Sequence, residues 1–416
     1  MHPADSIWWH VYPLGFAGAP IGPAASSPDD PQPPTPGDGL RRITAWLDYA
    51  ANLGFTGLLL GPIFSSSTHG YDTVDYRTID PRLGTMEDFT ALAEACHQRG
   101  IALALDGVFN HVGAAHRWVS QALAAGPEGA ADAMVAVDWT GDTPRLSTFE
   151  GHEHLVTLNH ASPLVVKEVA SIMRWWLDRG ADAWRLDAAY AAPANFWRHS
   201  IGAVRETHPD AWFLGEVLHG DYAEFVTASG ADTVTQYELW KAIWSSIADR
   251  NLFELDWTLR RHATWCGTFA PATFVGNHDV TRIASRVGVD GAIAAVWLLM
   301  MLPGTPFVYY GDEVGMTGFK EDRAGGDDAV RPAYAAVPPG DWASDADAAR
   351  VLQAHADAIA MRHAHPWLAR ATMEVVAVTN EHLTYDVRGE SVGQALRVEV
   401  DLAVAPLVTV TAAGTP

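Results

Sequence analysis

An α/β protein whose core is an eight-stranded parallel (β/α)8 barrel is the fold class that this sequence predicts, on three observations. Short β-branched or aromatic runs alternate with longer segments of helical period, which is the pattern of parallel strands joined by crossover helices. The runs number eight, enough to close a barrel. At 416 residues and 48% hydrophobic content, the chain can fill one large core and carry smaller appendages.

The candidate strands are Trp8–Tyr12, Gly57–Leu60, Ile101–Leu105, Ala183–Leu186, Trp212–Leu214, Thr233–Thr235, Thr273–Val275 and Phe307–Tyr309. Helical period is clearest after Ser162-Pro163, where Val165, Val169, Ile172, Met173 and Trp176 recur every three or four positions and Gly180 closes the run. One face of that helix is expected to pack on the barrel wall. Residues 112–162 form a stretch too long for an ordinary connection, so an inserted subdomain is expected after strand three. After about Arg370 the apolar period drops to two, in Met373–Val378, Leu383–Val387, Leu396–Val400 and Leu407–Val410, predicting a short C-terminal β-domain over 370–416. The barrel is then built from 1–111 and 163–369. Gly18–Gly39 is rich in Pro and Gly and reads as a long surface loop.

Composition narrows the partners. A formal charge of -23 repels phosphate backbones and anionic lipid, so nucleic acid and membrane surfaces are not expected and neutral ligands are favoured. The apolar run Ala292–Leu302 falls short of the roughly 20 residues that span a bilayer and reads as a core helix. Met1-His-Pro-Ala-Asp-Ser lacks the basic start and apolar stretch of a secretory signal, which makes the cytoplasm the expected location. Cys96 and Cys266 form no CxxC pair and no zinc spacing, and read as small hydrophobes.

Polar residues gather where such a barrel keeps its chemistry, at the C-terminal ends of strands and in the loops beyond them. Asn110 and His111 follow strand three, Arg185 and Asp187 end strand four, Glu216 follows strand five, and His278 and Asp279 follow strand seven. Any one carboxylate there could be a helix cap or a surface charge. Their joint placement makes one mouth the better account.

Asp106-Gly-Val-Phe-Asn110-His111, Ala183-Trp-Arg185-Leu-Asp187, a lone Glu216 and Asn277-His278-Asp279 together resemble the α-amylase superfamily of retaining glycoside hydrolases, glycoside hydrolase family 13. The resemblance extends to His69-Gly-Tyr-Asp-Thr-Val-Asp-Tyr76, Leu155-Val-Thr-Leu-Asn159 and Tyr309-Tyr-Gly-Asp-Glu313, and so covers most of residues 7–335. It implies that Asp187 is the nucleophile, Glu216 the acid/base, and Asp279 the third carboxylate, which binds sugar hydroxyls and helps distort the ring. Retaining cleavage needs such a pair, one carboxylate ionised and one protonated, about 5 Å apart. Arg185 lies two residues before Asp187 on the same strand face and is expected to hold it ionised, while neighbouring acids raise Glu216.

The same resemblance makes His111 and His278 partners of the sugar's hydroxyls and Tyr71 its stacking face. It also suggests Asp72 and Arg331 as a pair closing the pocket beyond that sugar. Trp118, Trp139 and Trp240 are candidates for outer sugar sites, against a core role for most of the 17 tryptophans. Asn110 resembles a calcium-binding position of some amylases. With no Asp-rich calcium loop in the chain, no metal or other cofactor is otherwise expected.

Departures from the family pattern bear on substrate. Asp187 is followed by Ala188-Ala-Tyr190, where typical starch amylases place a Lys-His pair that holds the leaving-side glucose. Gly61-Pro-Ile-Phe64 and Ile79-Asp-Pro-Arg-Leu-Gly84 resemble the neopullulanase and cyclomaltodextrinase type, whose extra N-terminal dimerisation domain is not expected in a chain that opens almost at its first strand. The oligomeric state stays open. The expected substrate is a maltooligosaccharide or other small α-glucoside. Three alternatives stand beside hydrolysis: a transglycosylase using the same residues, a non-catalytic sugar-binding relative, and a metal-dependent barrel enzyme using His111, His278 and nearby acids as ligands.

Overall fold

The computed structural model describes residues 3–21, 37–129, 133–323, 325–339, 342 and 344–413. Its central sheet has eight strands, in chain order Trp8–Val11, Gly57–Leu60, Ala102–Gly107, Ala183–Leu186, Trp212–Gly215, Thr233–Val234, Ala272–Phe274 and Thr305–Tyr309. Every pairing between them is parallel, each strand lies beside its neighbour in sequence, and the first also pairs with the eighth. A single parallel bridge, Thr235 to Ala272, joins strands six and seven and completes the ring. All eight expected strands are present, with ends shifted by one or two residues. The sixth shrinks to two residues.

Side chains fill the ring because strands of period two send alternate residues inward. Trp8 lies at the centre of this inner layer, stacked on Trp212 at 5.7 Å and on Phe307 at 5.6 Å, with Leu59, Ala102, Ala104, Ala183, Leu214, Ala272 and Phe274 around it. Gly57 is required beside it, since a Cβ there would lie 2.5 Å from the Trp8 ring. Outside the ring, the Pro163–Leu177 helix buries Val165, Val169, Ile172, Met173 and Trp176, the face that its period marks. Trp176 also donates its indole N–H to the Tyr76 carbonyl at 2.8 Å.

Strand eight is flanked by two long helices, Ile283–Met301 before it and Ala346–Ala364 after it. The Ile283–Met301 helix is long and apolar enough by composition to cross a membrane, but most of its residues are buried and it packs on the Tyr237–Asp249 and Ala346–Ala364 helices. Gly288 interrupts it with φ +70°, which any side chain would strain. Buried Arg362 donates to the carbonyls of Met300, Leu302 and Gly304 at its C-terminal end, satisfying acceptors that the helix leaves open.

Three further units surround the ring. Phe64–Ser66 and Thr73–Ile79 form a hairpin after strand two, which sequence periodicity does not mark. After strand three, His111–Gly113 pairs antiparallel with His152–Thr157, which pairs in turn with Thr148–Phe149, and an Arg117–Ala125 helix lies between. Four antiparallel strands, Thr372–Val378, His382–Arg388, Ala395–Asp401 and Leu407–Ala412, make the C-terminal sheet. The expected Gly18–Gly39 loop falls mainly on residues 22–36, outside the described residues. Cys96 is buried, as a small hydrophobe would be, and Cys266 is partly so.

Glu313, just past strand eight, is buried and accepts from the Gly311 N–H and from the hydroxyls of Tyr334 and Tyr49. Burial pushes its carboxyl up to about 7. The folded value lies above the unfolded one, so the neutral acid stabilises the fold at low pH and that contribution is lost as pH rises through about 7. The stability of Glu313→Gln relative to the unmodified protein is therefore expected to rise by roughly 3 kcal/mol between pH 4 and pH 8, at about 1.4 kcal/mol per unit. Urea unfolding across that range measures it, and a difference that stays constant with pH would be evidence against the buried neutral acid.

Candidate active site

Strands three, four and five end side by side, and the register sets Arg185 opposite Asp106 and Leu214. The Arg185 guanidinium is buried and touches three carboxylates. Its Nη1 donates to Asp106 at 2.6 and 2.7 Å and to Asp187 at 3.1 Å, and its Nη2 meets Glu216 at 2.7 Å. Asp187 and Glu216 are each only 7% exposed, so little solvent offsets their charges. Glu216 is fixed further by the Ala188 N–H on Oε2 at 2.9 Å and by the Tyr237 hydroxyl on Oε1 at 3.2 Å.

One arginine cannot hold three buried carboxylates ionised. Burial, then the charge of Glu216, pushes Asp187 well above its ordinary value, against the pull of Arg185. Burial likewise raises Asp106 in spite of Arg185. This corrects the expectation that Arg185 holds Asp187 ionised: its shorter contacts go to Asp106 and Glu216, and Asp187 is pushed up in spite of it.

Asp279 is held differently. Burial works against its charge, but His278 and then Arg331 outweigh it and keep the carboxyl well below the usual range. The His278 Nε2 lies 3.0 Å from one oxygen and Arg331 donates to the other at 2.9 Å. The Asp279 N–H donates to the Asn277 Oδ1 at 2.9 Å, and Asn277 donates through Nδ2 to the Tyr237 hydroxyl at 2.8 Å. Asn277 and Tyr237 thus link Asp279 to Glu216 across the mouth.

The remaining candidates are gathered around this centre, with several differences from expectation. Tyr71 lies in parallel with Tyr12 and His278, at 6.5 and 5.3 Å, and its hydroxyl contacts Asp106 and the His278 Nε2. His111 is at the mouth, but both ring nitrogens have protein partners: Nδ1 accepts from the Asn110 amide and Nε2 donates to the Tyr71 carbonyl at 3.1 Å. Burial lowers its pKa to about 3, which fixes the neutral ring that this pattern requires. A sugar hydroxyl would have to displace one of those bonds.

Asp72 and Arg331 do not pair. Asp72 accepts from the N–H and hydroxyl of Thr68, whereas Arg331 reaches Asp279, Asp327 and the His278 carbonyl and packs over the Tyr12 ring at 4.7 Å. Trp118 is core, against Tyr76 and His116, and Trp240 stacks on Phe274. Trp139 is partly buried. The Asn110 Oδ1 is a buried acceptor without a partner, a feature that a cation would satisfy, but one oxygen falls far short of a calcium shell. His152 and His154 stand two apart on one strand, a spacing that metal sites use. Among the described residues, no group of three His, Cys, Asp or Glu could hold a metal ion as placed.

Asp106, Tyr237 and Tyr12 belong to the site although sequence reasoning gave them no role. Asp106 opens the strand-three motif and Tyr237 lies just past the end of strand six, so position alone could have flagged both.

A parallel barrel with buried carboxylates converging on one arginine at its C-terminal mouth defines a glycosidase-type barrel protein. The chain belongs to the α-amylase family, whose catalytic domain ("Alpha amylase, catalytic domain") matches residues 11–373. It is 34% identical over 338 residues to a cyclomaltodextrinase of Geobacillus thermopakistaniensis, covering 76% of this chain and 56% of that protein. To the intracellular maltogenic amylase of Bacillus subtilis it is 30% identical, with the same 76% and 56% covered. The chain thus spans little more than half the length of these relatives. Among solved structures, the ligand-free cyclic α-maltosyl-(1→6)-maltose hydrolase of Arthrobacter globiformis aligns with a TM-score of 0.80 at 28% identity, covering 98% of this chain and 99% of that one. A maltose complex of that protein aligns equally fully, at a TM-score of 0.79.

Removing the shared guanidinium leaves buried carboxylates uncompensated. Arg185→Met is expected to cost about 4 kcal/mol at neutral pH, read by urea unfolding, and less in acid as the carboxyls take up protons. A cost under about 1 kcal/mol would show that the carboxylates do not depend on it.

Proposed function

We propose that this chain is a retaining α-glycoside hydrolase acting on maltooligosaccharides or other small α-glucosides. The observation that carries this is the pair Asp187 and Glu216, buried, on adjacent strand ends and within reach of one guanidinium, with Asp279 facing them from strand seven. Asp187 attacks the anomeric carbon while Glu216 gives its proton to the leaving oxygen, forming a glycosyl ester on Asp187. Water then gives a proton to Glu216 and attacks the anomeric carbon, releasing the Asp187 carboxylate, and two inversions at that carbon restore the α configuration. Asp279, already ionised, binds hydroxyls of the sugar being cleaved and offsets charge as the ring flattens.

In this reading barrel segments 1–111 and 163–369 carry the chemistry, the insert 112–162 covers one side of the mouth, and 370–416 packs outside. The named activities of the relatives, on cyclomaltodextrin and towards maltose, support a small α-glucan as substrate. The relative named intracellular supports a cytoplasmic location. No metal enters this mechanism.

Asp187→Ala and Glu216→Gln are each expected to fold and to lose turnover of maltotriose by on the order of 10^3-fold or more. Proton NMR of the first-formed product should show the α anomer. Formation of the β anomer, or near-normal rates in the Asp187 variant, would refute the assignment.

A further inference from the structure

Strand one carries a buried histidine that has no part in the proposed reaction. His10 lies two residues after Trp8 on the same strand face, so it too points into the barrel, one layer nearer the mouth. Its ring meets the His278 ring edge to face, with centroids 5.1 Å apart. Beside this pair is a cavity of about 30 Å³, lined by His10, His278, Arg185, Thr235, Tyr237 and Asn277, with the apolar layer around Trp8 supplying most of the remaining wall. Most of these polar groups are already engaged. The Thr235 hydroxyl donates to the Val217 carbonyl and accepts from the Val217 N–H, the Tyr237 hydroxyl donates to Glu216 and accepts from Asn277, and the Asn277 Oδ1 accepts from the Asp279 N–H. Two buried ring nitrogens, His10 Nε2 and His278 Nδ1, have no hydrogen-bond partner.

Orphaned polar atoms on the wall of a small cavity are what a buried water satisfies. One water needs roughly 10–15 Å³ of such space and at least two polar partners. The cavity and the two nitrogens meet both conditions. Their chemistry selects a water over an ion. His278 turns Nε2 to the ionised Asp279 carboxylate at 3.0 Å, so Nε2 carries a hydrogen and Nδ1 of the neutral ring presents a lone pair. Burial, then His278 and Arg185, holds His10 well below its ordinary range, so that ring is neutral as well. An anion would face the Nδ1 lone pair, and two nitrogens fall short of a metal shell. A water donates to Nδ1 and either donates to His10 or accepts from it. The consequence reaches Asp279. His278 is stacked between Tyr12 at 5.8 Å and Tyr71 at 5.3 Å, which fixes the plane of its ring. Stacking does not distinguish the two orientations related by half a turn about the Cβ–Cγ bond; only polar contacts at the ring edge do. A hydrogen bond at Nδ1 favours the orientation that aims Nε2 at Asp279.

We propose that this cavity is a site for one ordered water, bound by His10 Nε2 and His278 Nδ1, and that His10 is a positioning residue, holding His278 in the orientation that serves Asp279. The role of His10 rests on the function given to Asp279; the water site does not. In a high-resolution crystal structure of the unmodified protein, density for a water is expected within about 3.2 Å of both nitrogens. His10→Phe, which offers no polar atom, is expected to lose the water and about tenfold in kcat/KM on maltotriose, the effect of one hydrogen bond. His10→Gln, whose amide can bind the same water, is expected to keep the water and to stay within about twofold of the unmodified rate. A structure of the unmodified protein without that water would overturn the site. Unchanged kcat/KM in His10→Phe, or an equal loss in both variants, would overturn the positioning role, since a steric effect of substitution has no reason to be relieved by an amide. Turnover of maltotriose by none of the three proteins would overturn the hydrolase reading and the role of His10 with it, while the crystal structure still decides the water site.

Discussion

Everything at the mouth of this barrel depends on one buried charge balance. Carboxylates leave water only when compensated, and here Asp106, Asp187 and Glu216 are compensated by the single guanidinium of Arg185. The parallel register makes this possible, because Arg185 and Asp106 are aligned partners on adjacent strands and both point inward. The balance is incomplete by design of its residue count: three acids share one base, so the cluster retains protons that isolated carboxylates would release. A retaining glycosidase needs that condition, one acid that attacks and one that still has a proton to give. Burial pushes Asp187 up, so the mechanism proposed for it requires that an entering substrate shift charge towards the ionised carboxylate.

The opposite wall is tuned to the other extreme, and its support comes from a second buried arginine. Arg282 donates to Asp312, the Tyr310 carbonyl and the Val330 carbonyl, tying the loop after strand seven to strand eight and to the turn that carries Arg331. Gly276 is needed where it stands, because a Cβ there would lie 2.1 Å from the Asp312 carboxylate. The next three residues are Asn277, His278 and Asp279, so this packing sets where they emerge. Arg331 then adds its charge to His278 on Asp279 and keeps that carboxylate ionised. Two carboxylates a few residues from strand ends thus reach opposite protonation behaviour through their neighbours.

The parts legible in the sequence are those whose signal is local. Val165, Val169, Ile172, Met173 and Trp176 repeat at helical period because they face one wall. Strand residues such as Gly57–Leu60 and Ala183–Leu186 read as apolar runs because both of their faces are covered. The polar residues just past those strands were legible for the same reason, since polarity directly after a buried run has no packing explanation. The pairing of distant side chains was not. Nothing near Arg331 or Asp72 says that the first turns to Asp279 and the second to Thr68, because each choice depends on backbone placed by other segments. Tyr237 escaped for a related reason: strand six is two residues long, and so short a run marks its own end poorly.

The same division separates reaction from substrate. The residues proposed to break the bond sit on or just past strand ends, and the barrel holds them whatever lies above. The groups that would meet the rest of a sugar chain come from the hairpin after strand two and from the insert, where Phe149 stacks on His111 at 4.8 Å and Glu150 reaches Tyr190. These segments keep their shape through contacts with the mouth itself, so a substitution in them alters the opening without disturbing the ring of strands. The Ala188-Ala-Tyr190 loop belongs to both parts. Its backbone holds Glu216 in place through Ala188, and its side chain at Tyr190 faces the insert. That loop therefore couples the insert to the backbone that holds Glu216, the proposed acid.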